Sequence, residues 1–418
     1  MSLLVTDGTL VTQDEERRLF RGNLRVEKDT IQAVGGKEGS ADRRLDAMGC
    51  FIVPGLIDGY TRSAHVILGP PRDVPWTAMQ EATERLEQNL TKRDLEVAAA
   101  LATANMLASG TTCFLDLFTW EEEVGRAVTQ AGIRAHLAWA VETEDDLPHA
   151  RRFLHKMRAR DRIQPLVGLT GLMDPSLTRA VAELAEAEGT RWCLPVAERR
   201  SEVYGFQREV GMRPVEWLER NELLSPNLVA IHGVWLTLNE IRAFARAHVP
   251  VVHCPGSNQA TGAGGPMPLP EMVREGVLVG LGTDSPFLTG DFSLRSAMRD
   301  CGFVHRGHRW DPSIVPTQTL LDLCTINGAR ALGTAAGTLR PGAAADFVVL
   351  EPVGASPAGP EETLSLLAYG GRTLRVRDVV VDGKLVVESG AVLAFDVADL
   401  RERVADLRGE LGLAHHGD

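Results

Sequence analysis

A (β/α)8 TIM barrel, with a small β-sandwich domain formed from both chain ends, is the fold this sequence predicts. Three observations carry it. Eight short apolar runs alternate with helix-like stretches between about residues 53 and 338. Both chain ends alternate apolar and polar residues with a period of two instead. Each end also places an Asp-Gly pair between apolar runs, Asp7-Gly8 and Asp382-Gly383, which reads as a hairpin turn.

Taken in order, residues 1–52 form the first part of the β-domain, with "LLVTDGTLVT" and "RGNLRVEKDTIQAVGG" as its strands. The barrel follows over 53–338. Its strands read as "FIVPGLID", "TTCFLDLF", "IRAHLAWAV", "IQPLVGLT", "RWCLPVAE", "LVAIHGVW", "VPVVHCP" and "VLVGLGTD". Between them lie helical stretches such as "RDLEVAAALATANMLASG" and "SLTRAVAELAEAEG", each closed by a glycine. Residues 339–395 return to strand alternation and complete the β-domain, and 396–418 end the chain as an amphipathic helix.

Bulk properties exclude several functions. A formal net charge of −12 argues against a nucleic-acid or anionic-membrane partner. No run approaches the roughly 20 apolar residues of a membrane span. The six cysteines are scattered without a CxxC pair, which suits a reducing cytoplasm better than a disulfide framework. The expected partner is a small molecule and the expected location cytoplasmic.

A barrel of this kind carries its chemistry where strands end. The polar residues at those ends include Tyr60, Arg62, Glu198, His232, His253, Ser257, Asn258 and Asp284. Glu198, His232 and Asp284 supply two carboxyls and an imidazole from three strands, the parts of an acid/base site. Tyr60, Arg62, His253, Ser257 and Asn258 are the candidates for substrate contact.

"SGTTCFLDL", "PVEWLERNELLSPNLVAIHGVWLT", "VVHCPGSNQATGAGGPMPLPEMVREGVLVGLGTDSP", "TINGARALG" and "GTLRPGAAADFVVL" together resemble the amidohydrolase superfamily. The resemblance is to its branch of S-adenosylhomocysteine/methylthioadenosine deaminases and triazine chlorohydrolases. It covers nearly the whole chain and implies a homodimer and a nitrogen-containing, heteroaromatic or nucleoside-like substrate. It also implies one divalent metal, held by two His of an HxH motif, one His opening an HxxE motif, and a late Asp. Carried onto this sequence, the HxH positions are Tyr60 and Arg62, the HxxE histidine is Pro195, and only Asp284 remains. Glu198 and His232 match the family's proton-handling residues. "GLTGLMDPSL", where this branch often places a substrate-contacting His, has none.

A phenol, a permanent cation and a proline are poor zinc ligands, so neither metal nor any other cofactor is expected. Arg62 is expected to pair with Asp284 and replace the metal's charge. The primary reading is therefore metal-independent acid/base chemistry: C–N hydrolysis, cyclisation, elimination or isomerisation. The alternatives are a non-catalytic relative that binds a small molecule or partner, and a deaminase with a rearranged metal site.

Overall fold

The computed structural model describes residues 2–36, 39–70, 73–172, 174–354 and 357–413, without the side chain of Arg372. The N-terminal side supplies β1 (Ser2–Val11), β2 (Leu19–Glu27), β3 (Thr30–Val34), β4 (Arg43–Asp46) and β5 (Phe51–Pro54). The barrel strands are β6 (Leu56–Thr61), β7 (Thr111–Phe118), β8 (Arg134–Ala140), β9 (Ile163–Gly168), β10 (Trp192–Val196), β11 (Leu228–His232), β12 (Val251–His253) and β13 (Val279–Leu281). The chain then returns through β14 (Phe347–Pro352), β15 (Leu374–Val381), β16 (Lys384–Glu388) and β17 (Ala391–Val392).

β6 to β13 pair in sequence order, each parallel to the next. The ring closes between its first and last strands. There the Asp284 amide donates to the Tyr60 carbonyl at 2.9 Å, and the Arg62 amide donates to the Asp284 carbonyl at 3.2 Å. Closure thus brings the two ends of the barrel sequence together at residues 60–62 and 284.

The two chain ends share one nine-stranded sheet. Its seam is the antiparallel pairing of β5 with β14, where Val53 faces Val348. The run "FIVPGLID" is therefore two strands, and the passage from outer sheet to barrel falls at Gly55 rather than after residue 52. A side chain at Gly55 would collide with Thr112, and its amide donates to the Asp346 carbonyl at 3.0 Å. Only glycine lets the chain cross there. Arg134, opening β8, fastens the junction: its Nε donates to the Asp346 carboxylate at 2.6 Å and its Nη2 pairs with Asp382.

The two Asp-Gly pairs take different roles. Asp382-Gly383, at φ 54° and 69°, is the two-residue turn between β15 and β16. Asp7-Gly8 is not a hairpin. It lies inside β1, where the register with β2 slips between Val5 and Gly8, so the pair makes a β-bulge with Asp7 left-handed. At the other end of the chain, the helix Val397–Glu410 packs on the helix Lys92–Ser109.

Candidate active site

At the C-terminal ends of the barrel strands lies a cavity of about 410 Å³. Tyr60, Arg62, Pro195, Glu198, His232 and Asp284 all line it. His232 and Asp284 both hold left-handed backbones, at φ 73° and 60°. Such conformations are uncommon outside glycine and cluster at functional sites. Here they end β11 and follow β13.

His232 Nδ1 lies 2.9 Å from Asn258 Oδ1. With that oxygen accepting, the ring hydrogen sits on Nδ1 and Nε2 presents its lone pair. Nε2 stands 3.8 Å from Glu198 Oε2, room for a proton to pass through a substrate atom or water. The Tyr60 ring meets the imidazole edge-on, with centroids 5.8 Å apart. Burial pushes the Tyr60 hydroxyl well above its ordinary pKa, so it remains a neutral phenol. Ser257 Oγ donates to Asp284 Oδ2 at 2.5 Å. Burial raises the Asp284 carboxyl's pKa, against the pull of His232 and that hydrogen bond.

Arg62 is held by its neighbours. Thr61 and Ser63 both donate to the buried Asp116 carboxylate, Thr61 at 2.8 Å, which fixes the backbone on each side of Arg62. Its guanidinium reaches Glu87 at 3.1 Å on the helix Trp76–Asn89. The expected pairing with Asp284 is absent: between those residues the bond is backbone to backbone. Arg62 follows the last residue of β6, and its guanidinium is taken by Glu87, which lines the same cavity from the helix.

Three expected substrate contacts stand elsewhere. Ser257 and Asn258 lie one layer behind the cavity wall and act on Asp284 and His232. His253 faces away altogether. Val252 and Cys254 point into the barrel's inner core, so the pleat sends the residue between them outward. The structure brings in others instead. His65 Nδ1 is 2.8 Å from Ser285 Oγ, and both line the cavity together with Glu84, Glu87, Glu142 and Asp174. Ser285 was visible as the residue after Asp284. Nothing distinguished Glu87 from the other acids of its helix.

Buried carboxyls make stability depend on pH. Burial raises Asp58 from 3.8 to about 7, outweighing the bonds donated by Thr283 and the Tyr60 amide. The folded state then binds the proton more tightly than the unfolded state. Stability from this group is full below about pH 4 and is lost as pH rises through 7, at about 1.4 kcal/mol per unit. Urea unfolding from pH 5 to 8 should show this loss, and Asp58→Asn should flatten it.

A parallel eight-stranded barrel with its site at the strand ends and a flanking sheet from both chain ends is the architecture of an amidohydrolase. The amidohydrolase family profile matches residues 51–386, and the chain belongs to that family. It is 32% identical over 426 residues to the 5-methylthioadenosine/S-adenosylhomocysteine deaminase of Syntrophobacter fumaroxidans, covering 96% of each chain. It is 28% identical to the 5'-deoxyadenosine deaminase of Methanosarcina mazei, covering 98% of each. Among solved structures, an adenosine deaminase from Xanthomonas campestris with bound zinc superposes with a TM-score of 0.93 at 23% identity, covering 99% of each chain. The zinc-complexed atrazine chlorohydrolase of Arthrobacter aurescens gives 0.87 at 21%, over 97% of this chain and 99% of that one.

In the cavity of this chain, Tyr60, Arg62 and Pro195 present a phenol, a guanidinium paired to Glu87, and a proline. Glu198, His232 and Asp284 do not bring three ligand atoms within 4.8 Å of one another. Among the described residues, only a group outside the cavity does so.

Proposed function

We propose that this protein hydrolyses a C–N bond of a basic, nucleoside-like nitrogen heterocycle by metal-independent acid/base chemistry. The observation that carries the reading is His232 Nε2, poised 3.8 Å from Glu198 in a cavity whose described lining holds six carboxylates, one arginine and no lysine. The six are Glu84, Glu87, Glu142, Asp174, Glu198 and Asp284.

An acidic, partly closed cavity favours the protonated form of a weakly basic heterocycle. Protonation on a ring nitrogen makes the adjacent carbon more electrophilic, which eases attack by water that no metal has activated. Glu198 delivers or retains the ring proton. His232 takes the proton of the attacking water and returns it to the departing amine, so that ammonia leaves and a carbonyl remains. Asp284, fixed by Ser257, accepts hydrogen bonds from the amino group. Asn258 keeps His232 in the tautomer that leaves Nε2 free. Relatives named as adenosine-type deaminases support the substrate class.

The test is ammonia release from a panel of aminated heterocycles and their nucleosides, with a strong chelator present. Neutral and basic members should turn over, whereas phosphorylated analogues should be excluded by the acidic wall. Turnover that appears only when zinc is added would favour a rearranged metal site. Binding without turnover, unchanged by Glu198→Gln, would mark a non-catalytic relative.

Restoring histidine at three positions probes the same site. Tyr60→His, Arg62→His and Pro195→His together should raise zinc affinity at the cavity, because Asp284 remains to complete four ligands. A folded triple variant with unchanged zinc binding by competition titration would contradict the assignment of those positions.

A further inference from the structure

Behind β12, away from the cavity, His253 faces the helix Leu294–Arg309. Cys301 and His305 are four residues apart on that helix and share one face. The two Nε2 atoms are 3.2 Å apart, and one ring nitrogen from each histidine and Cys301 Sγ all lie within 4.8 Å of one another. All three residues are buried, at 0%, 0% and 1% exposure for His253, Cys301 and His305. Both Nδ1 atoms are buried without a hydrogen-bond partner.

We propose that His253, Cys301 and His305 form a closed three-ligand site for a thiophilic metal ion, Cu(I) by preference. A thiolate with two imidazoles selects soft or borderline ions, whereas magnesium and calcium require oxygen ligands that this trio lacks. Burial keeps both rings neutral, His305 down to about 4 and His253 well below its ordinary value, so each can offer a lone pair. Burial also raises the Cys301 thiol, which must give up its proton when the ion binds.

In the metal-free pair one Nε2–H donates to the other ring. Binding moves that hydrogen to Nδ1 of the same ring and sends the thiol proton to solvent, one proton released per ion. Thiolate and Cu(I) then sum to zero charge, which suits a buried site. Zn(II) would leave one uncompensated positive charge. The ion would tie the helix to the end of β12, from which the segment Pro255–Ala260 carries Ser257 and Asn258. The site would thereby brace the supports of Asp284 and His232 without touching the cavity.

The test loads Cu(I) anaerobically against a competing chelator, and Zn(II) in parallel. Each ion is added to native protein and, separately, supplied during refolding from urea. Wild type should bind one Cu(I), with sulfur and nitrogen neighbours in X-ray absorption. Affinity should fall more than about 100-fold in Cys301→Ser and in His305→Gln, beyond the loss expected for a merely supporting partner. Asp284→Asn should bind as wild type does. Equal Cu(I) binding by wild type and Cys301→Ser overturns the proposal. So does loss of the ion in Asp284→Asn, and tighter Zn(II) than Cu(I) binding overturns the choice of ion.

Discussion

His232→Asn is expected to lower kcat/KM by about 10²–10⁴ on any substrate the protein turns over, the range attributed to a positioned general acid or base. The imidazole is 3% exposed, faces the cavity, and has its tautomer set by Asn258 at 2.9 Å. Glu198→Gln should cost a similar factor, because an amide cannot exchange a proton with the ring nitrogen. The double variant should fall little below the worse single one, since the ring proton held by Glu198 and the water proton taken by His232 belong to one step, the attack of water on the protonated ring. Steady-state rates with chelator present decide it. Fully additive losses would separate the two residues into independent steps.

The largest effect on stability is expected at the junction between barrel and outer sheet. Arg134→Met should destabilise the protein by about 3–5 kcal/mol, the cost of stranding one member of a buried ion pair. Asp346 is fully buried and its carboxylate takes the Arg134 Nε bond at 2.6 Å. Burial raises the Asp346 carboxyl's pKa, and the Arg134 guanidinium is the largest influence opposing that rise. Adding Asp346→Asn should therefore recover part of the loss. Urea unfolding of the single and double variants measures both, and a change of about 0.5 kcal/mol or less would make Arg134 an ordinary surface residue.

The barrel was legible because strands of a parallel barrel are buried on both sides and read as short apolar runs. The same property hid the direction of His253. With Val252 and Cys254 as apolar as any outward residue, no alternation marked which way the pleat turned. Asp7-Gly8 misled because aspartate and glycine suit a left-handed residue equally in a turn or a bulge. The pairing of β1 with β2 decides between them, and the pair itself does not. Glu198, His232 and Asp284 were readable as strand-end residues, and all three line one cavity. The partner of Arg62 was not, because Glu87 lies 25 residues further on, in a helix with other acids. Sequence spacing carries strand ends to the mouth of a barrel, but it carries no record of which helix leans over that mouth.

Whether the cavity works without a metal, as proposed, is decided by elemental analysis of the purified Cys301→Ser protein, in which the proposed second site is removed. Well below one equivalent of zinc, iron or manganese is expected, together with turnover that survives chelation. One equivalent of metal, lost on adding Asp284→Asn or His232→Asn and carrying the activity with it, would contradict the proposal.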